Sequence, residues 1–195
     1  MLKKLITLGS VLLMGLGCLY GQDSKGVLVD YRLLATNKTS TMVKELNEAA
    51  VAGYRFEQAM GGDTAHGGSE VVAIVSRDKR EAPRTRYEYK LLATNKTSTM
   101  QKELQDAGDL GFEYRDQTVF KSAFGGEEVV VILERDRDVP VQRWEYKLLA
   151  TNKTSTMQKE LQEAGTSGFQ IIGVTVGKSA FGGKEVISIL RRMVQ

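Results

Sequence analysis

The sequence predicts an α+β fold of three tandem βαββ units, each a three-stranded antiparallel sheet in order 1-3-2 with one helix on one face. Three observations point to it. The decapeptide LLATNKTSTM occurs unchanged at Leu33–Met42, Leu91–Met100 and Leu148–Met157, so one unit recurs at offsets of 58 and 57 residues. Within each copy the apolar pattern has period two, then helical spacing, then period two again. A closing stretch, Val129 to Leu133 in the second copy, is apolar at every position.

The first strand is read from Tyr87, Tyr89, Leu91 and Ala93, which alternate with Glu88, Lys90, Leu92 and Thr94; Trp144, Tyr146, Leu148 and Ala150 repeat that face. Asn-Lys-Thr-Ser-Thr follows, with turn and capping chemistry. Ser98 with Gln101, and Ser155 with Gln158, have capping-box spacing. Met100, Leu104 and Ala107 fall on one helical stripe, and Gly111, matching Gly53 and Gly168, supplies a left-handed stop. The second strand, Phe112 to Phe120, is the more polar and suits an edge. The doubly apolar third strand belongs between the other two. One helix cannot cover both faces of such a sheet. The second face is expected to carry Leu92, Val130 and Ile132, or Leu149, Ile187 and Ile189 in the third copy. Copies should therefore pack sheet against sheet or bury those faces in an oligomer.

The expected boundaries are 1–21 for a leader and 27–78, 86–136 and 143–193 for the repeats. Charged linkers around Arg77–Arg86 and Arg135–Arg143 hold the only prolines, Pro83 and Pro140. In the leader, Lys3 and Lys4 precede a broken apolar run from Leu5 to Leu19, the layout of a secretory signal peptide. Small-residue exits at Gly15-Leu16-Gly17 or Leu19-Tyr20-Gly21 suit ordinary cleavage. Gly17-Cys18 offers a second route, a lipoprotein leader with the lipid on Cys18, and an uncleaved anchor is the third. Cys18 is the only cysteine, so the body has no disulfide and depends on packing. Of the formal charge of +3, two positive charges lie in the leader, and no basic stripe with interleaved aromatics occurs, so nucleic acid is not an expected partner. Membrane contact is expected only through the leader or a lipid on Cys18.

Tyr87-Glu88-Tyr89-Lys90-Leu91, a Glu-Leu helix ending at Gly111-Phe112-Glu113, and an apolar strand closing on Arg135 resemble the bacterial domain-of-unknown-function family 4177, three times over. The resemblance implies a βαββ fold. It carries no activity, cofactor or site residue across. The family commonly has Trp after the helix-ending glycine, where this chain has Tyr54, Phe112 and Phe169.

LLATNKTSTM is invariant and the Ala-Phe-Gly-Gly bend nearly so, while the second strands have drifted. If strands one and two run parallel, the helix entrance and that bend share one end of the sheet. Asn37, Lys38, Thr39 and Ser40, with Asn95, Lys96, Thr97 and Ser98 and then Asn152, Lys153, Thr154 and Ser155, surround helix N-termini that lack a first-turn carboxylate. Free N–H groups and the helix dipole favour an anion there. Phe124, Gly125 and Gly126, and Phe181, Gly182 and Gly183, would complete a surface for a polar or anionic ligand. The plainer reading is open beside it: hydroxyl caps, glycine turns and recent duplication.

His66, the single histidine, replaces a phenylalanine and reads as a loop residue; neither a zinc site nor a recurring triad can be built, and no cofactor is expected. Carboxylates such as Glu127-Glu128 do not recur, and the Asn-Lys-Thr sequons read as coincidence behind a bacterial-type leader. Catalysis is not expected. The chain reads as an exported non-enzymatic binding or scaffolding protein of the cell envelope, its ligand unknown, with three similar surfaces giving avidity. The alternative is a structural or assembly module that contacts envelope proteins, or further copies of itself, through uncovered sheet faces.

Overall fold

The structure is a computed structural model that describes residues 28–63, 69–94, 96–121, 127–178 and 183–194. Its elements fall into three groups. Unit 1 holds β1 (Val29–Thr36), α1 (Thr39–Val51), β2 (Arg55–Asp63) and β3 (Ser69–Asp78). Unit 2 holds β4 (Tyr87–Thr94), α2 (Thr97–Asp109), β5 (Glu113–Lys121) and β6 (Glu127–Asp136). Unit 3 holds β7 (Trp144–Thr151), α3 (Thr154–Thr166), β8 (Gln170–Lys178) and β9 (Lys184–Met193). Each sheet has its third strand in the middle, in orders β1-β3-β2, β4-β6-β5 and β7-β9-β8, with antiparallel pairing on both sides. The α+β reading, the 1-3-2 order and the central apolar strand therefore hold. Arg77 and Arg135 lie inside the third strands, so the connections begin two residues later than the linkers expected from charge.

Each helix ends as its glycine requires. Gly53, Gly111 and Gly168 have φ of 82–83°, and the next residue's N–H returns to the helix, as from Phe112 to the Ala107 carbonyl at 3.0 Å. The stripe Met100, Leu104 and Ala107 is buried. The capping boxes do not form. The helices begin at Thr97 and Thr154, one residue before the expected caps, and the N-cap residues are Lys96 and Lys153. Ser98 and Ser155 lie inside the first turn, and the Gln101 amide is engaged elsewhere.

The sheet faces also differ from the expectation. Leu92 faces Val131 across the sheet and packs with Met100 and Leu104, so it belongs to the helix side of its own unit. Leu149 likewise packs with Met157 and Leu190. The opposite face of unit 2 carries Tyr89, Leu91, Val130 and Ile132, and it is buried against α1 and Phe56 of unit 1. The expectation placed Val130, Ile132 and Ile189 on the correct face and misplaced only the first-strand leucine of each unit, since a one-residue slip exchanges the faces. What covers the second face is chiefly the helix of the preceding unit: α1 packs on β4 and α2 on β7. Among the described residues, direct sheet contact runs from β2 and β3 to β5, and from β5 and β6 to β8. α1 and α2 are thus each sandwiched between their own sheet and the next, a solenoid logic in which neighbouring units complete one another's cores.

Candidate functional site

The helix entrances lie where the topology requires. β1 and β2 are both antiparallel to β3, and Thr36 and Gly61 both stand opposite Val71, so both strands end at the same end of the sheet. Asn95, Phe124, Gly125, Gly126, Phe181 and Gly182 lie outside the described residues, as do Cys18 and His66. Gly183 is described and exposed.

Local chemistry at the three entrances is repeated. Thr36 Oγ1 accepts a hydrogen bond from Lys38 N–H at 3.2 Å; Thr94 and Thr151 do the same for Lys96 and Lys153 at 3.1 Å. The lysine at each N-cap offers no side-chain cap, and no first turn has a carboxylate. Lys38, Lys96 and Lys153 point to solvent, as do Asn37, Ser40, Ser98, Asn152, Thr154 and Ser155, while Thr39 and Thr97 are half-buried. Thr39 and Ser40 line a cleft of about 300 Å³ with Val43, Leu91 and Ala93, and Thr97 and Ser98 line one of about 360 Å³ with Gln101, Leu148 and Ala150. Glu103 borders the first cleft and Glu160 the second. A carboxylate from the following helix thus shares each cleft, which works against a free anion. The third entrance has no following unit packed on it among the described residues.

A more developed constellation is the junction between units, which sequence reasoning missed. The first strand of each sheet is an edge, and its outward N–H and C=O groups invite another chain. In unit 3 that edge is covered by two glutamines one helical turn apart. Gln101 Nε2 donates to the Tyr146 carbonyl at 2.9 Å, and its Oε1 accepts from Leu148 N–H at 2.7 Å. Gln105 Oε1 accepts from Tyr146 N–H at 3.0 Å, and its Nε2 donates to the Trp144 carbonyl at 3.3 Å. In unit 2 Asn47 serves Tyr89 in the same way, with both bonds at 3.0 Å. A carboxamide offers donor and acceptor together, so it copies the pairing of a neighbouring strand.

Each such tyrosine then reaches through the junction. Tyr89 Oη accepts from Phe56 N–H at 2.7 Å and donates to Glu134 at 2.8 Å. Tyr146 Oη accepts from Tyr114 N–H at 2.8 Å and donates to the Phe112 carbonyl at 3.1 Å. Burial pushes the Tyr146 phenol up to about 12, and burial with the neighbouring Glu134 carboxylate raises that of Tyr89 as well. Space for the Tyr146 ring comes from Gly108, where a Cβ would stand 2.4 Å from the Trp144 carbonyl oxygen and 2.8 Å from the ring. Salt bridges flank both junctions with opposite polarity: Arg55 to Glu134 at 2.8 Å, and Arg191 to Glu113 at 2.7 Å.

A signal for this junction was present in the sequence. Gln101 and Gln105, repeated as Gln158 and Gln162, have i,i+4 spacing, and Tyr31, Tyr89 and Tyr146 recur on one strand face. Gln101 and Gln158 fit capping-box spacing, which hides their pairing with Gln105 and Gln162. Among the described residues no group of three or more His, Cys, Asp or Glu side chains could hold a metal ion. No protein-family model, curated protein or solved structure matches this chain.

Proposed function

We propose that this chain is an exported, non-enzymatic scaffold of the cell envelope that joins protein partners through the two faces of its unit junction. The leader supports export. No acid, base or nucleophile set recurs in the three copies, which supports a non-catalytic role. One observation carries the scaffolding reading. The junction is made twice inside the chain, and both of its halves are presented again at the outer units: the strand half on β1 and the helix half on α3. Leu33 is 63% exposed, and Gln158 and Gln162 are exposed on α3. The clefts at Thr39 and Thr97, each bordered by a carboxylate, favour this reading over capture of a small anion.

Photo-crosslinking in the producing cells tests it, with a benzophenone amino acid at Leu33, at Gln162, or at Lys102 on the outward side of α2. Protein adducts are expected at the first two positions and not at Lys102. No protein adduct at Leu33 or Gln162, or equal yields at all three positions, refutes the proposal.

A further inference from the structure

We infer that the partner is a second copy of this chain, docked head to tail, with α3 of one molecule on β1 of the next. The inference rests on the scaffolding reading and names its partner. Continuity with the internal junctions is the argument. At positions where Tyr89 is 4% exposed and Tyr146 is 2% exposed, unit 1 has Tyr31 at 67%. Tyr31 and Leu33 stand opposite Ser76 and Ile74, on the face that is buried in units 2 and 3.

The receiving half is equally intact. Gln158 and Gln162 occupy the positions of Gln101 and Gln105, so they would serve the outward groups of Tyr31 and Leu33. Ile171 takes the place of Phe56 and Tyr114, and its N–H is the counterpart of the two that meet a tyrosine hydroxyl. Its side chain is 52% exposed, where Phe56 is fully buried. Val174 and Val176 extend this apolar strip along β8. Gly165 is the most telling residue. It matches Gly108, which makes room for Tyr146, yet a Cβ on Gly165 would meet nothing within 4 Å. A glycine inside a helix weakens it relative to alanine, and an incoming Tyr31 ring gives it a use.

The polar neighbours are compatible. Where the internal junctions place Arg55 on Glu134 and Glu113 on Arg191, the intermolecular one would place Gln170 beside Ser76, with no like charges opposed. Such a contact uses two different surfaces, so it extends into a filament or closes into a ring.

Sedimentation velocity and light scattering of the purified full chain over a wide concentration range provide the test. Wild type is expected to show a mass that climbs with concentration through dimer and trimer. Gly165→Glu should hold one-chain mass because it fills the receiving face, and Tyr31→Ala should do so because it removes the entering ring. Neither replaces a buried side chain, and circular dichroism would verify that both fold. A mixture of the two variants should give a dimer and nothing larger, since each keeps the half the other lacks. Wild type that stays at one-chain mass overturns the inference, while crosslinks to other proteins at Leu33 and Gln162 would leave the scaffolding reading standing. Association that survives both substitutions, as leader-driven clustering would, also overturns it.

Discussion

Replacing Tyr89 by Phe removes one oxygen atom from the first junction and tests whether the junctions or the individual units hold the fold together. The ring remains, with its edge-on contact to Phe56 at 6.4 Å between centroids. What is lost is the acceptor for Phe56 N–H at 2.7 Å and the donor to Glu134 at 2.8 Å. Phe56 and Glu134 are both buried, so neither group regains water. An orphaned buried N–H costs about 1–3 kcal/mol, and a lost hydrogen bond to a charged group costs about 1.5–3 kcal/mol. Glu134 keeps Arg55 at 2.8 Å, so the lower ends apply and the expected loss is about 2.5 kcal/mol. Tyr146→Phe is the internal control. It orphans Tyr114 N–H but gives up only a carbonyl partner, so about 2 kcal/mol is expected. For a chain of this size 1 kcal/mol shifts Tm by about 2–4 °C, so Tyr89→Phe should lower the melting point by about 5–10 °C and Tyr146→Phe by less. Thermal melts followed by far-ultraviolet circular dichroism read both. A shift below about 2 °C for Tyr89→Phe, or the larger shift for Tyr146→Phe, refutes the reasoning.

Gln101→Ala should cost about 1–3 kcal/mol by baring the edge of β7, while Gln158→Ala at the matching position should leave the melt of dilute, single-chain protein unchanged; urea titrations compare the two. Gly165→Ala should stabilise the single chain by about 0.5–1 kcal/mol through helix propensity, whereas Gly108→Ala should destabilise it because its Cβ meets the Trp144 carbonyl oxygen. At high pH the raised Tyr146 phenol contributes stability that is complete below its unfolded value near 10 and disappears as pH rises through about 12; Trp144 fluorescence should report the loss, and Tyr146→Phe should lack that component. At low pH the sign reverses. Arg80 holds Asp78 down to about 2, and arginines also lower Asp136 and Asp109, so stability present above the unfolded carboxylate range should fall between about pH 4 and 2 in a circular-dichroism titration.

The unit was legible because its signals are local. The decapeptide gives the repeat, Gly111 gives the helix stop, and the doubly apolar run ending at Leu133 gives the central strand. The covering of the second face was not legible, because it depends on a contact across sequence distances of about 40 residues, such as Asn47 to Tyr89. Leu92 and Ile132 are both apolar, and nothing in a doubly apolar strand says which face is which; the register Leu91 to Ile132 decides it. The candidate site suffered the same limit. Ser98 and Gln101 fit a capping box by spacing alone, yet the helix starts at Thr97 and the glutamine reaches the strand of another unit. A motif defined within one turn cannot register a partner that the chain brings from elsewhere.

Units that repeat one fold create a problem of their own: any helix could dock on any first strand. The flanking salt bridges supply an answer. Unit 1 presents Arg55 and meets Glu134, while unit 2 presents Glu113 and meets Arg191. If unit 3 were to dock on unit 1 out of order, Arg55 would face Arg191, a like-charge pair at a partly buried position that has no carboxylate in place of Glu134. The polarity of the pair alternates along the chain, so the correct neighbour gains an ion pair and the wrong one opposes two guanidinium groups. The uncharged Gln170 and Ser76 at the outer faces gain nothing comparable. The proposed contact between copies would therefore be held by the tyrosine, the glutamines and the apolar strip alone, without the ion pair that each internal junction has.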